Sequence, residues 1–313
     1  MPGLCAQGFG VERNVKMALG ISGSNAHVLP PMNGQTRRGL KNGIGQYMQQ
    51  ADDYMKEVEA LADLLSGHPE DVFQLETLFK SWTVNDVIGH LHMFDLAALS
   101  ALESDAAFDA FFAPIQANLR QGLTLLQCQY PFLGSLSGIG LFQKWYDTAQ
   151  VVSAAYRAAN PKQRVKWAGP EMSALSCITA RQMETWAHGQ AVFDVLGRPR
   201  QAHDRIRNIC HLGAVTFAWT FQNRGLPVPE EAPYVCLTAP SGAVWTWNSP
   251  SKTQYVKGKA VAFAQVVTQV RNIEDTDLQL NGANAISWME LAQCFAGKPE
   301  TPPAKNTRYM SRL

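Results

Sequence analysis

The sequence predicts a mainly α-helical protein, a bundle of long helices followed by a small α+β domain. Two observations carry this. From about residue 44 to residue 223, apolar residues recur at helical spacing in successive segments joined by short to medium connections, as in a helical bundle. Beyond Pro227-Val228-Pro229 the period changes, and Tyr234-Val235-Cys236-Leu237-Thr238 and Ala243-Val244-Trp245-Thr246-Trp247 alternate around Ala239-Pro240-Ser241-Gly242 as a β-hairpin. A chain of 313 residues, 46% hydrophobic, can bury one large core or two ordinary ones, and the change of period favours two.

Residues 1–44 are rich in Gly, Asn, Ser and Pro with little sustained periodicity, and read as a flexible extension. The bundle is expected over 45–226. Tyr47, Met48, Ala51, Tyr54, Met55, Val58, Leu61 and Leu64 mark a first helix ending near 65. Thr83 with Asp86 three residues on has the form of an N-terminal cap, opening a second helix to about 102. Further helices are predicted over 105–128 and 139–158, the latter stopped by Asn160-Pro161, then over 173–197 and 203–223, stopped by Gly197 and Gly225. The small domain, 227–297, adds to its hairpin a helix near 258–271, a strand at Leu278-Gln279-Leu280 and a last helix over 285–296. Residues 298–313, with several Pro and Lys, read as a flexible tail.

Composition removes several functions. With 27 basic and 26 acidic residues the formal charge is +1, and no segment interleaves dense Lys/Arg with aromatics, so nucleic acid is not an expected partner. No apolar run reaches the roughly 18 to 20 residues that span a bilayer, and the N-terminus lacks the layout of a secretory signal; no membrane partner is expected, and the default location is cytoplasmic. Six scattered cysteines without a C-x-x-C pair read as reduced, mostly buried thiols. No phosphate loop, dinucleotide fingerprint or G-x-S-x-G elbow is present.

The chemistry concentrates on two helices. At 3.6 residues per turn, Cys177, Arg181, Glu184 and His188 form one stripe of a helix whose other positions include Ile178, Met183, Trp186, Val192 and Val195. Ionisable groups turned into such surroundings must be paired or hold a metal. His90 lies on a helix that is apolar almost all round, among Val87, Ile88, Leu91 and Phe94. Together His90, Glu184 and His188 can offer two imidazoles and a carboxylate to a divalent ion, leaving a coordination position free, as catalytic zinc sites do. From spacing alone the Glu184/His188 pair is equally a surface pair or a satisfied core histidine. Arg181 can bind a substrate carboxylate or neutralise Glu184; Cys177 is a helix-packing thiol or an activated nucleophile. Asp95 is a candidate to orient a ligand histidine, and Trp82, Trp145, Trp167, Trp186 and Trp219 are candidates to wall an apolar pocket or to serve as core.

The segments Ser81-Trp82-Thr83-Val84-Asn85-Asp86-Val87-Ile88-Gly89-His90-Leu91 and Arg181-Gln182-Met183-Glu184-Thr185-Trp186-Ala187-His188-Gly189-Gln190 resemble the mycothiol-dependent maleylpyruvate isomerase family of the DinB-like superfamily, in particular a branch of uncharacterised metal-binding proteins. The resemblance covers roughly residues 48–297. It implies a DinB-like four-helix bundle with a metal held at His90, Glu184 and His188, followed by a sterol-carrier-like α+β domain. It also implies a low-molecular-weight thiol, mycothiol or glutathione, that adds to a conjugated alkene and is eliminated after bond rotation. The family's motif continues H-x-x-D, whereas this chain has Ala191; the triad is kept and its surroundings differ.

The expected function is therefore a metal-dependent enzyme, with zinc the leading metal, acting as a thiol-dependent isomerase or transferase on a small electrophilic substrate. Arg181, Glu184 and His188 are its expected catalytic residues, with Arg181 anchoring an anionic group, and the chain is expected as a monomer or homodimer. Two rivals use the same sequence: a thiol-independent metal-dependent hydrolase or Lewis-acid isomerase or cyclase, and a non-catalytic small-molecule binder.

Overall fold

The computed structural model describes residues 47–311, and the extension read over 1–44 lies outside them. Four long helices make the bundle: α1 (Gln49–Leu65), α2 (Val84–Glu103), α5 (Gly138–Ala158) and α6 (Ala174–Val195). Helix α1 packs between α5 and α6, and α2 packs against the same two from the other side. Their apolar stripes meet in a core that includes Leu61, Val87, Ile88, Leu91, Trp145, Val152 and Ile178, all buried. Each aliphatic side chain of this kind contributes about 1.5–3 kcal/mol on burial.

The cap read at Thr83 is present. Asp86 N donates to Thr83 Oγ1 at 3.1 Å and Thr83 N donates to Asp86 Oδ2 at 2.9 Å, which satisfies two otherwise orphaned amides and fixes where α2 begins. The single helix expected over 105–128 is two, α3 (Asp105–Arg120) and α4 (Leu125–Leu133). Gly122 turns the chain at φ +91° and a second capping box, Thr124 with Gln127, restarts it. Both pack on α2. Gly89 lets α4 approach next to His90, since a Cβ there would lie 2.6 Å from Leu133 Cδ1.

A two-residue antiparallel ladder, β1 (Arg164–Val165) with β2 (Met172–Ser173), leads into α6, whose first turn is capped by Ser173. The helix expected over 203–223 is broken at Thr216 into α7 (Arg207–Val215) and α8 (Phe217–Gln222).

The remainder carries a four-stranded sheet in the order β4-β3-β5-β6. The predicted hairpin is β3 (Tyr234–Thr238) against β4 (Val244–Trp247), and the predicted late strand is β6 (Gln279–Asn281). Strand β5 (Tyr255–Lys259), parallel to β3, occupies the start of the segment expected to be helix; the helix itself is α9 (Ala260–Val267), with α10 (Ala283–Leu291) last. Val235, Leu237, Trp245, Val256, Phe263 and Trp288 form the core here together with Met183 and Trp186. Helix α6 thus serves two cores, one face toward α2 and another toward the sheet.

The tail read as flexible is held to the body over its described part. Arg308 Nη1 donates to Gln269 O at 2.7 Å and Ser311 N to Asp194 O at 2.8 Å, and Glu300 pairs with Lys80 at 3.0 Å. Its Pro and Lys content marked an irregular backbone, which long-range hydrogen bonds here order.

Candidate metal centre

Helices α2 and α6 bring together the three residues that the two motifs supply. His90 is two turns beyond the Thr83 cap, and its Nε2 lies 3.3 Å from Glu184 Oε2; His188 Nε2 lies 3.2 Å from the same oxygen. The three donor atoms fall within 4.8 Å of one another, the one such grouping of three or more His, Cys, Asp or Glu among the described residues. Bonds of about 2.0–2.1 Å at tetrahedral angles put neighbouring donors about 3.3 Å apart, so both contacts with Glu184 have the length of an edge of such a site. Two imidazoles and a carboxylate form a donor set that suits a divalent ion.

Electrostatics agree. Burial, followed by the neighbouring His188, pushes the His90 imidazole down to about 4, so it is neutral, with a lone pair to offer, throughout the physiological range. Burial works to raise the Glu184 carboxyl, but its hydrogen bonds with His188 and His90 hold it well below the usual carboxylate range. His90 is 6% exposed, His188 13% and Glu184 24%, so the triad opens on the Glu184/His188 side.

Aromatic rings enclose the histidines. Trp82 stacks on His188 with centroids 5.7 Å apart and planes within 4°, and lies 5.4 Å from the His90 ring. Phe79 meets His188 edge-on at 4.9 Å, and Phe94 lies 4.8 Å from His90. Of the tryptophans weighed as pocket walls, Trp82 touches the triad and Trp167 reaches it through Phe94. Trp145 and Trp186 are core, and Trp219 donates its indole N–H to Phe295 O. Phe79 carried no signal in the sequence, since a single phenylalanine in a short loop belongs to no periodic face.

Arg181 is a correction. Expected to anchor a substrate anion or to neutralise Glu184, its guanidinium is 1% exposed and donates from Nε to Asp95 Oδ1 at 3.0 Å and from Nη2 to Leu91 O at 3.1 Å. Asp95, in turn, serves Arg181 and not a ligand histidine. Burial opposes the Arg181 charge, but Asp95 holds the guanidinium protonated above its usual range. Cys177, one turn earlier, accepts a hydrogen bond from Tyr156 Oη at 3.1 Å, and burial pushes its thiol up to about 11; it is a packing residue. The five described cysteines are all free thiols, as expected. Among the described residues no helix is long and apolar enough to cross a membrane.

Comparison with known proteins matches this architecture to a family. Residues 54–193, which run from α1 to the end of α6 and contain the whole triad, match the model of the mycothiol maleylpyruvate isomerase N-terminal domain. Two uncharacterized proteins of Mycobacterium tuberculosis, from strains CDC 1551 / Oshkosh and ATCC 25618 / H37Rv, are each 35% identical over 247 residues, 79% of this chain and 95% of theirs. Crystal structures of a mycothiol-dependent maleylpyruvate isomerase and of a histidine-to-alanine mutant of it align over 70% of this chain and 87% of theirs, at TM-score 0.46 and 15% and 14% identity. Over residues 54–193 the chain belongs to the family of the mycothiol maleylpyruvate isomerase N-terminal domain.

Proposed function

We propose that the protein is a metal-dependent enzyme of the thiol-dependent isomerase or transferase type, with His90, Glu184 and His188 as ligands of one divalent ion, zinc foremost. The observation that carries this is the convergence of His90 Nε2 and His188 Nε2 on Glu184 Oε2 at 3.3 and 3.2 Å, between two helices and beneath an aromatic cover. A divalent ion at such a site supplies Lewis acidity, bringing a thiol or water ligand toward ionisation near neutral pH.

The chain's own residues set the conditions for that chemistry. Glu184 remains ionised and both histidines face it. Trp82 and Phe94 flank the His90 ring, and Phe79 covers the edge of His188. Cys177 is buried and protonated and offers no nucleophile, so the sulfur nucleophile of a thiol-dependent reaction would come from a small molecule such as mycothiol or glutathione. Such a thiol would supply a nucleophile for reversible addition to a conjugated alkene, the chemistry that allows cis-trans isomerisation of the substrate. Outside the triad, the Arg308 guanidinium lies over Phe79 at 4.9 Å and gives the outer wall a cationic group suited to an anionic substrate. Ala191, one turn past His188, brings no polar group, in keeping with a substrate different from that of relatives with aspartate there.

The test is metal analysis of protein purified without chelator, followed by assay of cis-trans isomerisation of maleylpyruvate and related alkenes with mycothiol, with glutathione and with neither. One equivalent of divalent metal and thiol-dependent turnover, both lost in His188→Ala, is the expected result. Absence of metal overturns the proposal, and turnover indifferent to thiol replaces it with the hydrolase or Lewis-acid reading.

A further inference from the structure

Among the described residues, neither histidine of the triad is hydrogen-bonded through its second ring nitrogen. His90 Nδ1 is buried without a hydrogen-bond partner, and Glu184 is the polar partner of His188 among the described residues. Histidines that bind metals ordinarily have that nitrogen fixed by a carboxylate, a carbonyl or water, which sets the angle of the ring. Here aromatic faces stand in that place, and two of the rings come from one short turn.

The turn is Phe79-Lys80-Ser81-Trp82. Trp82 N donates to Phe79 O at 2.9 Å and Thr77 N to Trp82 O at 2.8 Å, while Glu76 and Thr83 form an isolated bridge at its base. Lys80 and Ser81 have φ of +52° and +55°, so the turn has the left-handed central pair that usually requires Asn-Gly, in a sequence without glycine. Strain of this kind persists only where the surroundings over-determine it, and it concentrates at functional sites. The surroundings are visible: Phe79 and Trp82 pack edge to face at 5.0 Å, Lys80 pairs with Glu300 at 3.0 Å, and the Arg308 guanidinium lies over the Phe79 ring at 4.9 Å. The turn ends at the Thr83 cap, so it is fixed to the helix that carries His90.

We propose, on the metal reading above, that this strained turn is a positioning element of the metal centre, in which Trp82 sets the planes of both imidazoles and Phe79 fixes the outer edge of His188. Rotation of the His188 ring about its Cβ–Cγ bond would drive its edge into the face of Trp82, and rotation of His90 is blocked between Trp82 and Phe94. The glycine-free turn and its ties to the C-terminal segment keep Trp82 from withdrawing. Orientation by packing replaces orientation by hydrogen bonding, which leaves both second nitrogens free to take the ring proton when the Nε2 lone pairs are engaged.

The experiment measures zinc affinity by chelator competition, and the visible absorption of the Co2+-substituted protein, for the full-length wild type, Trp82→Ala, Trp82→Phe and Phe79→Leu. Melting of each in chelator monitors the metal-free fold. Trp82→Ala is expected to bind zinc roughly 10- to 100-fold more weakly and to shift the Co2+ spectrum, Trp82→Phe to recover most of that loss, and Phe79→Leu to fall between. Phe79 is half-buried, so its variant keeps the test decisive if Trp82→Ala does not fold. Unchanged affinity and an unchanged Co2+ spectrum in Phe79→Leu and in whichever Trp82 variants fold overturn the positioning role while leaving the metal reading intact. A wild type that takes up no zinc or cobalt overturns both.

Discussion

The Glu184 layer and the Arg181 layer lie one turn apart between the same two helices. Both carry charge, yet the Arg181 layer is buried whereas the Glu184 layer is partly open, and they close in different ways. At Arg181 a guanidinium meets the Asp95 carboxylate and the Leu91 carbonyl, and Tyr54 and Trp145 adjoin the pair from α1 and α5. Cation and anion are matched, and all four bundle helices meet there. At Glu184 one carboxylate is flanked by two imidazoles, one of them held neutral by burial, and among the described residues no arginine or lysine pairs with it. Buried charge that is matched internally fixes a fold; donors gathered without a matching cation are an arrangement for one from outside. The stripe on α6 that carries both layers is therefore structural at one level and chemical at the next.

The comparison is tested most severely by Glu184→Gln. We expect it to abolish stoichiometric metal binding, a loss beyond the roughly 10- to 100-fold of a change around the ligands, while the fold, read by circular dichroism, is retained. Metal retained at full stoichiometry would remove the distinction between the layers. Asp95→Ala should show the converse, because it leaves a buried arginine unpaired: a loss of about 3–5 kcal/mol in denaturant unfolding, with metal still bound by the molecules that fold. A cost below about 1 kcal/mol would show that the pair does not lock the bundle.

Acidification of the metal-free protein sharpens the contrast. His90 titrates near 4 in the folded chain and near 6.5 when unfolded. Between those values the unfolded chain takes up a proton that the folded chain refuses. Its contribution is complete above about pH 6.5 and is lost as pH falls toward 4, by about 3 kcal/mol in all. Glu184, held below its usual range, adds a loss of the same sign below about pH 4.5. Unfolding free energies measured from pH 7 to 4 should decline, with a shallower slope in His90→Asn; a flat profile would mean that His90 is not desolvated. The smallest effect is expected at Thr83→Ala, which removes one partner of the capping box, at about 1 kcal/mol, measured as a shift in unfolding midpoint.

How far the sequence could be read follows from the range of the interactions. Local signals were sufficient where one element decides: the Thr83 cap, the hairpin around Ala239–Gly242 and the long apolar stripes that became α1, α2, α5 and α6. They failed where a local break was mistaken for continuity, at Gly122 and Thr216, and where a strand depends on its neighbour. Strand β5 lies between a turn and a helix and is set by parallel pairing with β3, about twenty residues earlier in the chain. The triad was legible because a carboxylate and two histidines on apolar helices have few alternatives to pairing or metal. Its surroundings were not: Asp95 is 86 residues from Arg181, and Phe79 and Trp82 reach His188 from a loop more than a hundred residues away.

Which helix faces are apolar, and which ionisable groups those faces must bury, can be read one helix at a time, because periodicity and desolvation act on each helix alone. Who partners whom is a property of the assembled fold: Arg181 is matched by Asp95, Glu184 is shared by two histidines, and the rings are held by a strained turn. Those choices depend on the register of one helix against another, to which packing across the whole core contributes and which no single segment encodes.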